Sequence, residues 1–426
     1  MDYISIGSQM LKGEVAVPPS KSVAHRAIIA AALSGGKCVL HHVAESKDIG
    51  ATLSCMGALG TKHHLNIREM ELVLEPKKTY HMPQELVLDC CESGSTLRFL
   101  MPLALVFGQN VRFLGQGRLM QRPQKPYFDL FDEKGIRYKT GTNEIQLSGK
   151  LEAGTFRLPG DVSSQFITGL LFALPLLEGD SEIVLTSELE SKGYVDLTLD
   201  VLKDFGITVF CDEYKRFVVK GGQTYKPKDY TVESDYSQAA FFLVAGAIGC
   251  DVTCLNLRKE SLQGDKKILE LITAAGGEIE YTEGGGIRAR RTDVMHGICI
   301  DARDIPDLVP ILAVLCTFCR GESRIINAGR LRFKESDRLA AISSELRQLG
   351  VEVIEGGDYL RIIGRDLVTG NTTSAWNDHR IAMAIAIAAT RCEGKVGIVG
   401  AKEAVKKSYP DFFEVYAALA ENGQRS

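Results

Sequence analysis

The chain has 426 residues, enough for two large domains or three average ones, and its 45% hydrophobic and 24% charged content leaves room for sizeable cores. A formal net charge of −4 speaks against a nucleic-acid-binding surface, which carries a basic excess, while leaving room for a small basic pocket. No uncharged apolar stretch reaches the roughly 18 residues of a membrane span.

In chain order, small polar or acidic residues precede six apolar runs: Ser22, Ser95, Ser164, Ser237, Asp307 and Asp378, about 71 residues apart. The runs include SVAHRAIIAAAL, SSQFITGLLFALPLL and DHRIAMAIAIAA. Each predicts a buried helix whose N-terminus leaves backbone N–H groups unpaired and partly positive, a potential anion site. A second set of amphipathic segments ends at Gly60, Gly135, Gly206, Gly276, Gly350 and Gly423. Apolar residues at i, i+3, i+4 and i+7 followed by Gly predict a surface helix with a C-terminal stop. The β-branched stretch after most of these glycines predicts a strand. Six units of buried helix, surface helix and short strands divide most simply into two sets of three. Hinges are expected at Pro18–Lys21 and at Lys226–Asp235.

The helix starts carry unlike residues although the apolar bodies are alike. SKSVAHR offers Ser20 or Ser22 as a cap, with Lys21 and Arg26 beside the exposed N–H groups. That set suits a phosphate or carboxylate, and equally a capped helix with solvated cations. ESGSTLR places Gly94 between serines, with Arg98 one turn on, and Arg118 and Arg122 follow in GRLMQRPQ. GDVSSQ gathers Ser163, Ser164 and Gln165, which serve either an anion or polyol or plain capping. DIPDLVP puts Asp307 at the mouth of an apolar helix, as a cap or as a general base near a substrate hydroxyl. LRFKESDR sets Lys334, Glu335, Asp337 and Arg338 within five positions, a solvated face or a ligand-directed cluster. In NDHR, His379 and Arg380 follow Asp378, and two cationic groups at a helix N-terminus oppose the dipole unless an anion sits between them. Lys406, Lys407 and Ser408 precede Tyr409-Pro410 and form a last basic terminus.

Other signals are weaker. Eleven cysteines, an odd number, lie in apolar surroundings, and MDYISIGSQMLKGEV lacks the basic start and apolar core of a secretory signal, so a reduced cytoplasmic protein is expected. Cys316 and Cys319 read as two buried thiols one helical turn apart rather than a metal site, because no second pair has zinc-site spacing. The pairs His41–His42 and His63–His64 are expected in surface positions or loops. No GxxxxGK, GxGxxG, HExxH or GxSxG motif is present. Cations at helix starts imply an anionic small molecule, bound without metal or cofactor.

Taken in order, SKSVAHR, SGSTLR, RPQ, GDVSSQ, SKGYVDLTL, DIPDLVPILAV, LRFKESDRLAA, DHRIAMA and KSYPDFFE resemble the 5-enolpyruvylshikimate-3-phosphate synthases, the enolpyruvyl transferases of the shikimate pathway. The resemblance runs through nearly the whole chain. It implies an α/β fold of two similar domains, each of three βαβαββ units, closing over a cleft toward which the buried helices point. The domains would be residues 20–231, binding shikimate 3-phosphate, and 1–19 plus 232–426, carrying phosphoenolpyruvate and acid/base residues. The implied enzyme works as a monomer on these two small molecules, with no nucleic acid or membrane partner. It transfers the enolpyruvyl group of phosphoenolpyruvate to the 5-hydroxyl of shikimate 3-phosphate, releasing phosphate.

By the same resemblance, Ser163 and Ser164 would hold the shikimate phosphate, with Ser191 and Lys21 nearby. Ser22 and Arg26 would hold the ring carboxylate and adjacent hydroxyl, and Gln165 would orient the ring. Phosphoenolpyruvate would meet Lys21, Gly94, Arg122, Gln165, Arg338, Arg380 and Lys407. Asp307 would be the base for the 5-hydroxyl, which Lys334 also reaches, and Glu335 the proton shuttle at the methylene carbon, supported by His379. Arg330 occupies a substrate-contacting position that is often Asn, and Glu92 stands where Asn is usual. His25 replaces a frequent Asn. Two alternatives have other motifs or none of the chemistry: a UDP-N-acetylglucosamine enolpyruvyl transferase, disfavoured by KESDR, GDVSSQ and SKGYVD, and a non-catalytic phosphometabolite-binding paralogue.

Overall fold

A computed structural model describes residues 3–77, 85–107 and 110–425. The chain forms two compact units, one of Lys21–Val232 and one of Met1–Ser20 with Glu233–Ser426. Each has its own apolar core.

In the Lys21–Val232 unit, three buried helices alternate with three half-exposed ones: α1 (Lys21–Leu33), α2 (Lys47–Ala58), α3 (Gly94–Val106), α4 (Lys125–Glu133), α5 (Ser164–Ala173) and α6 (Lys192–Asp204). Two sheets show the βαβαββ pattern without interruption. In one, Glu85–Asp89 runs parallel to Asn110–Leu114, which pairs antiparallel with Glu144–Ser148, which pairs antiparallel with Arg137–Thr140. Thr155–Leu158, Ser181–Leu185, Arg216–Val219 and Val209–Asp212 repeat that order. The third sheet is completed by a distant segment: Tyr230–Thr231 pairs parallel with Cys38–His41.

The other unit contains α7 (Tyr236–Ala247), α8 (Ile268–Ala274), α9 (Val309–Thr317), α10 (Arg338–Gln348), α11 (His379–Ala388), α12 (Ala401–Val405) and α13 (Phe412–Gln424). The N-terminal residues complete two of its sheets. Lys12–Ala16 lies parallel to Asp251–Leu255, and Tyr3–Gly7 lies antiparallel to Lys395–Val399. All 12 residues of α7 are buried, as an all-round apolar helix must be in a large domain. Full burial of each Phe or Leu there contributes ~1.5–3 kcal/mol.

Five of the six expected helix-stop glycines follow their helices with φ between 67° and 106°. Gly423 does not: it lies inside α13. A Cβ there would fall 2.0 Å from the Met10 carbonyl oxygen, so the glycine serves close packing of the N-terminal segment rather than a stop. The histidine pairs are exposed or half-exposed, but His63 and His64 belong to a strand (Lys62–Asn66), as does His41, rather than to loops. Cys316 and Cys319 are buried free thiols, and Cys319 Sγ approaches the Leu315 carbonyl at 3.3 Å. No helix of the described residues is long and apolar enough to cross a membrane.

Candidate active site

In the unit of α7–α13, three of the expected site residues, Lys334, Arg338 and Arg380, converge on one carboxylate. Asp307 lies in a short 3-10 turn, Pro306–Leu308, ahead of α9, and does not cap that helix. Its Oδ1 accepts from Arg338 Nη1 at 2.8 Å and from Lys334 Nζ at 3.4 Å. Its Oδ2 accepts from Arg380 Nη2 at 3.2 Å, and its backbone carbonyl accepts from Arg380 Nη1 at 3.0 Å. Arg338 is 1% exposed and also donates to Glu335 at 2.7 Å and to Asp378 Oδ2 at 2.8 Å. Burial opposes its charge, but Asp378, Glu335 and Asp307 outweigh that and raise its pKa further.

Asp378 supplies the anion that NDHR calls for. Its Oδ1 caps α11 by accepting from the Arg380 amide at 2.9 Å, while Oδ2 also accepts from Ser336 at 3.0 Å. His379 is 1% exposed beside this carboxylate. Lys407 Nζ donates to the Asn377 carbonyl at 2.7 Å, two residues ahead of His379. Trp376 and Asn377 both hold φ above 50°, a left-handed pair that turns the chain into α11. Arg330 is turned aside, donating to the Arg303 carbonyl at 2.5 Å. Three cations (Lys334, Arg338, Arg380) thus face three carboxylates (Asp307, Glu335, Asp378), a cluster neutral in itself. Burial lowers Lys334 to about 8, against the pull of Asp307, although a quarter of its side chain stays exposed.

The Lys21–Val232 unit gathers a second set. Lys21 opens α1 and is paired with Asp48 at 2.7 Å. Arg26 is 2% exposed, and its guanidinium donates to Thr198 Oγ1 (2.8 Å) and to the carbonyls of Ser22 (2.8 Å) and Tyr194 (2.9 Å). It joins α1 to α6, and burial lowers its pKa to about 10. Ser93 caps α3, and Gly94 is its first residue. The Arg122 guanidinium lies against Gly94: a Cβ at position 94 would stand 2.6 Å from Nη1 and 2.8 Å from Cζ. Only a residue without a side chain admits this contact. Gln165, in the first turn of α5, accepts from Arg98 Nη1 at 2.8 Å and donates to Ser95 Oγ at 3.0 Å. Ser163 caps α5, and Ser164 is its first residue. Ser191, in the left-handed conformation, opens α6. The loop before it touches the GDVSSQ segment, where Glu190 N donates to the Gly160 carbonyl at 3.1 Å.

Sequence reasoning passed over Asp48 and Asp265, and it named Arg98 without its partner. Asp48 pairs with Lys21 from 27 residues away. Arg98 orients Gln165 but had no visible partner, because Gln165 is 67 residues distant. Asp265 is 4% exposed beside the α7 start, and burial, then the nearby Asp307 charge, push it up to about 7 against the pull of Arg380. No motif marks its QGD segment. Among the described residues, no group of three or more His, Cys, Asp or Glu side chains is placed to hold a metal ion.

The fold is that of the enolpyruvyl transferases: NikO from Streptomyces tendae superposes with a TM-score of 0.79 at 16% identity, over 97% of this chain and 96% of that one. An EPSP synthase from Acinetobacter baumannii superposes equally well, at 25% identity, over 99% of this chain and 98% of that one. The family model for EPSP synthase (3-phosphoshikimate 1-carboxyvinyltransferase) matches residues 6–416. The 3-phosphoshikimate 1-carboxyvinyltransferases of Clostridium kluyveri and Clostridium acetobutylicum are each 47% identical to the chain, over 98% and 97% of it and 97% and 96% of the relatives. The chain belongs to the EPSP synthase family.

Proposed function

We infer that this enzyme transfers the enolpyruvyl group of phosphoenolpyruvate to the 5-hydroxyl of shikimate 3-phosphate, with Asp307 as the base, Lys334 at the 5-hydroxyl, and Arg338 and Arg380 as part of the phosphoenolpyruvate clamp. The observation that carries this assignment of roles is the convergence of Lys334, Arg338 and Arg380 on one carboxylate. Without substrate, those cations are neutralised by Asp307, Glu335 and Asp378. Phosphoenolpyruvate brings a phosphate and a carboxylate that compete for Arg338 and Arg380, joined by Lys407, Gly94, Arg122, Gln165 and Lys21. Each cation drawn off leaves Asp307 and Glu335 more basic. Binding of one substrate thereby readies the groups that move protons.

The chemistry balances through addition and elimination. Glu335, supported by His379, delivers a proton to the methylene carbon of phosphoenolpyruvate. The 5-oxygen bonds to the adjacent carbon and gives its proton to Asp307, forming a tetrahedral ketal phosphate. Return of a methyl proton to Glu335 restores the double bond as the carbon–oxygen bond to phosphate breaks, and the departing phosphate takes the proton held by Asp307, so both carboxyl groups end as they began. Lys334 steadies the 5-oxygen as its proton leaves. Ser163, Ser164, Ser191 and Lys21 hold the shikimate phosphate, and Ser22 and Arg26 position the ring carboxylate and hydroxyl, Arg26 chiefly by fixing α1 against α6. Arg330 would contact shikimate 3-phosphate. The enzyme acts as a single copy, and eleven free thiols support a reducing, cytoplasmic setting.

The test is phosphate release by the purified chain. Release should require both phosphoenolpyruvate and shikimate 3-phosphate and match the enolpyruvyl product one to one. Tight binding of shikimate 3-phosphate without turnover, or turnover with UDP-N-acetylglucosamine instead, would contradict the assignment.

A further inference from the structure

One buried chain of polar groups in the Lys21–Val232 unit has no part in the mechanism above. His25 Nδ1 lies 2.7 Å from Thr52 Oγ1, Thr52 Oγ1 lies 2.7 Å from Thr96 Oγ1, and Thr96 Oγ1 donates to Ser93 Oγ at 2.7 Å. It links α1, α2 and α3 and ends on the N-cap of α3. All four residues are at most 1% exposed, so water does not compete for these bonds.

The hydrogens can be assigned in sequence. Thr96 gives its hydrogen to Ser93. The short gap between Thr52 and Thr96 must hold a hydrogen, so it comes from Thr52. The Asp48 carbonyl is the alternative acceptor for Thr52, but at 3.5 Å it is distant, and its choice would leave two lone pairs facing each other at 2.7 Å. The hydrogen between His25 and Thr52 then belongs to Nδ1. Nε2 is left bare, in keeping with its having no hydrogen-bond partner. Burial, then the neighbouring charges of Lys21 and Arg26, hold the imidazole well below its usual pKa, so it stays neutral. Ser93 Oγ accepts from both the Thr96 hydroxyl and the Thr96 amide, the latter at 3.2 Å, which fixes the cap side chain.

We propose that His25, acting through Thr52 and Thr96, is a positioning residue that sets the start of α3 and with it the Gly94–Arg122 contact for phosphoenolpyruvate. The inference rests on the assignment of phosphoenolpyruvate to Gly94 and Arg122 made above. Ser93 immediately precedes Gly94, and the Arg122 guanidinium rests on the Gly94 α-carbon. A cap free to turn would shift both the N–H groups and the guanidinium. Shikimate 3-phosphate is assigned to the starts of α1, α5 and α6 and not to that of α3, where the relay ends, so the effect falls chiefly on phosphoenolpyruvate. His25 stands where the family often has Asn, with His a familiar variant.

The test uses Thr52→Val and Thr96→Val, which keep shape and remove the hydroxyl, with Thr52→Ser as the conservative rescue. Each valine variant should raise KM for phosphoenolpyruvate about fivefold, with KM for shikimate 3-phosphate within about twofold of wild type, and Thr52→Ser should restore wild-type behaviour. Nitrogen-15 NMR of the wild-type protein should show His25 neutral, with Nδ1 protonated and Nε2 bare. Wild-type KM for phosphoenolpyruvate in both valine variants, an equal rise in both KM values, or the opposite tautomer would overturn the proposal. A wild-type protein that releases no phosphate would overturn the functional assignment itself, a separate outcome.

Discussion

At the residue scale, Asp307 is held by more cations than a free carboxylate needs, and that is its use. Asp307→Ala should lower kcat by about 10²–10⁴, the usual worth of a positioned base, with a far smaller change in substrate binding. Steady-state kinetics checks this; unchanged turnover would exclude Asp307 as the base. Lys334, lowered to about 8, is cationic below that pH and loses its charge above it. Because the charged form is taken as the active one, kcat/KM should fall on the alkaline side with a midpoint near 8. Lys334→Arg, which stays charged, should remove that limb from the pH profile. Gly94→Ala is a third case. The new methyl group must push away the flexible end of Arg122 and not backbone, so folding should survive while KM for phosphoenolpyruvate rises about tenfold, a loss near 1.4 kcal/mol. Unchanged KM would place Arg122 away from that substrate.

At the element scale, a helix cap and an ion pair can share one carboxylate. Asp378 is fully buried, caps α11 and holds Arg338. Asp378→Ala should cost roughly 3–5 kcal/mol, because a buried guanidinium loses a partner at the same time as a helix loses its cap. Chemical denaturation would measure it, and a cost below about 1 kcal/mol would mean that Arg338 finds other compensation. Much of this layer was legible. The apolar runs and their polar starts marked the buried helices, because an alanine- or leucine-rich helix with one polar end has few other places to lie. LRFKESDR and NDHR marked the cluster because so many charges at two helix starts demand counter-charges. What escaped was pairing at long range. Asp48 with Lys21 and Arg98 with Gln165 are set by how helices pack, which no local pattern states. Gly423 was misread because a glycine that admits a neighbouring backbone looks, in sequence, like one that ends a helix.

At the scale of the whole molecule, each unit depends on strands from far along the chain. Residues 3–16 supply two strands and bury Ile6, Leu11 and Val15 in the core of the unit that carries Asp307. Periodicity shows six repeats but not which unit those residues join; strand pairing across more than two hundred positions decides it. Deleting residues 1–16 should leave Lys395–Val399 and Asp251–Leu255 with open edges and destabilise that unit selectively, as hydrogen exchange would show by faster exchange in α7 and α13 than in α3 and α5. Uniform protection across both units would contradict this dependence. On the roles proposed above, Lys21 and Arg380 each supply charge that the reaction needs. The most direct measurement is steady-state phosphate release by Lys21→Ala and Arg380→Ala, each checked for native folding. Both folded variants should lose at least about tenfold in kcat/KM for phosphoenolpyruvate; wild-type kinetics in either one would contradict the claim.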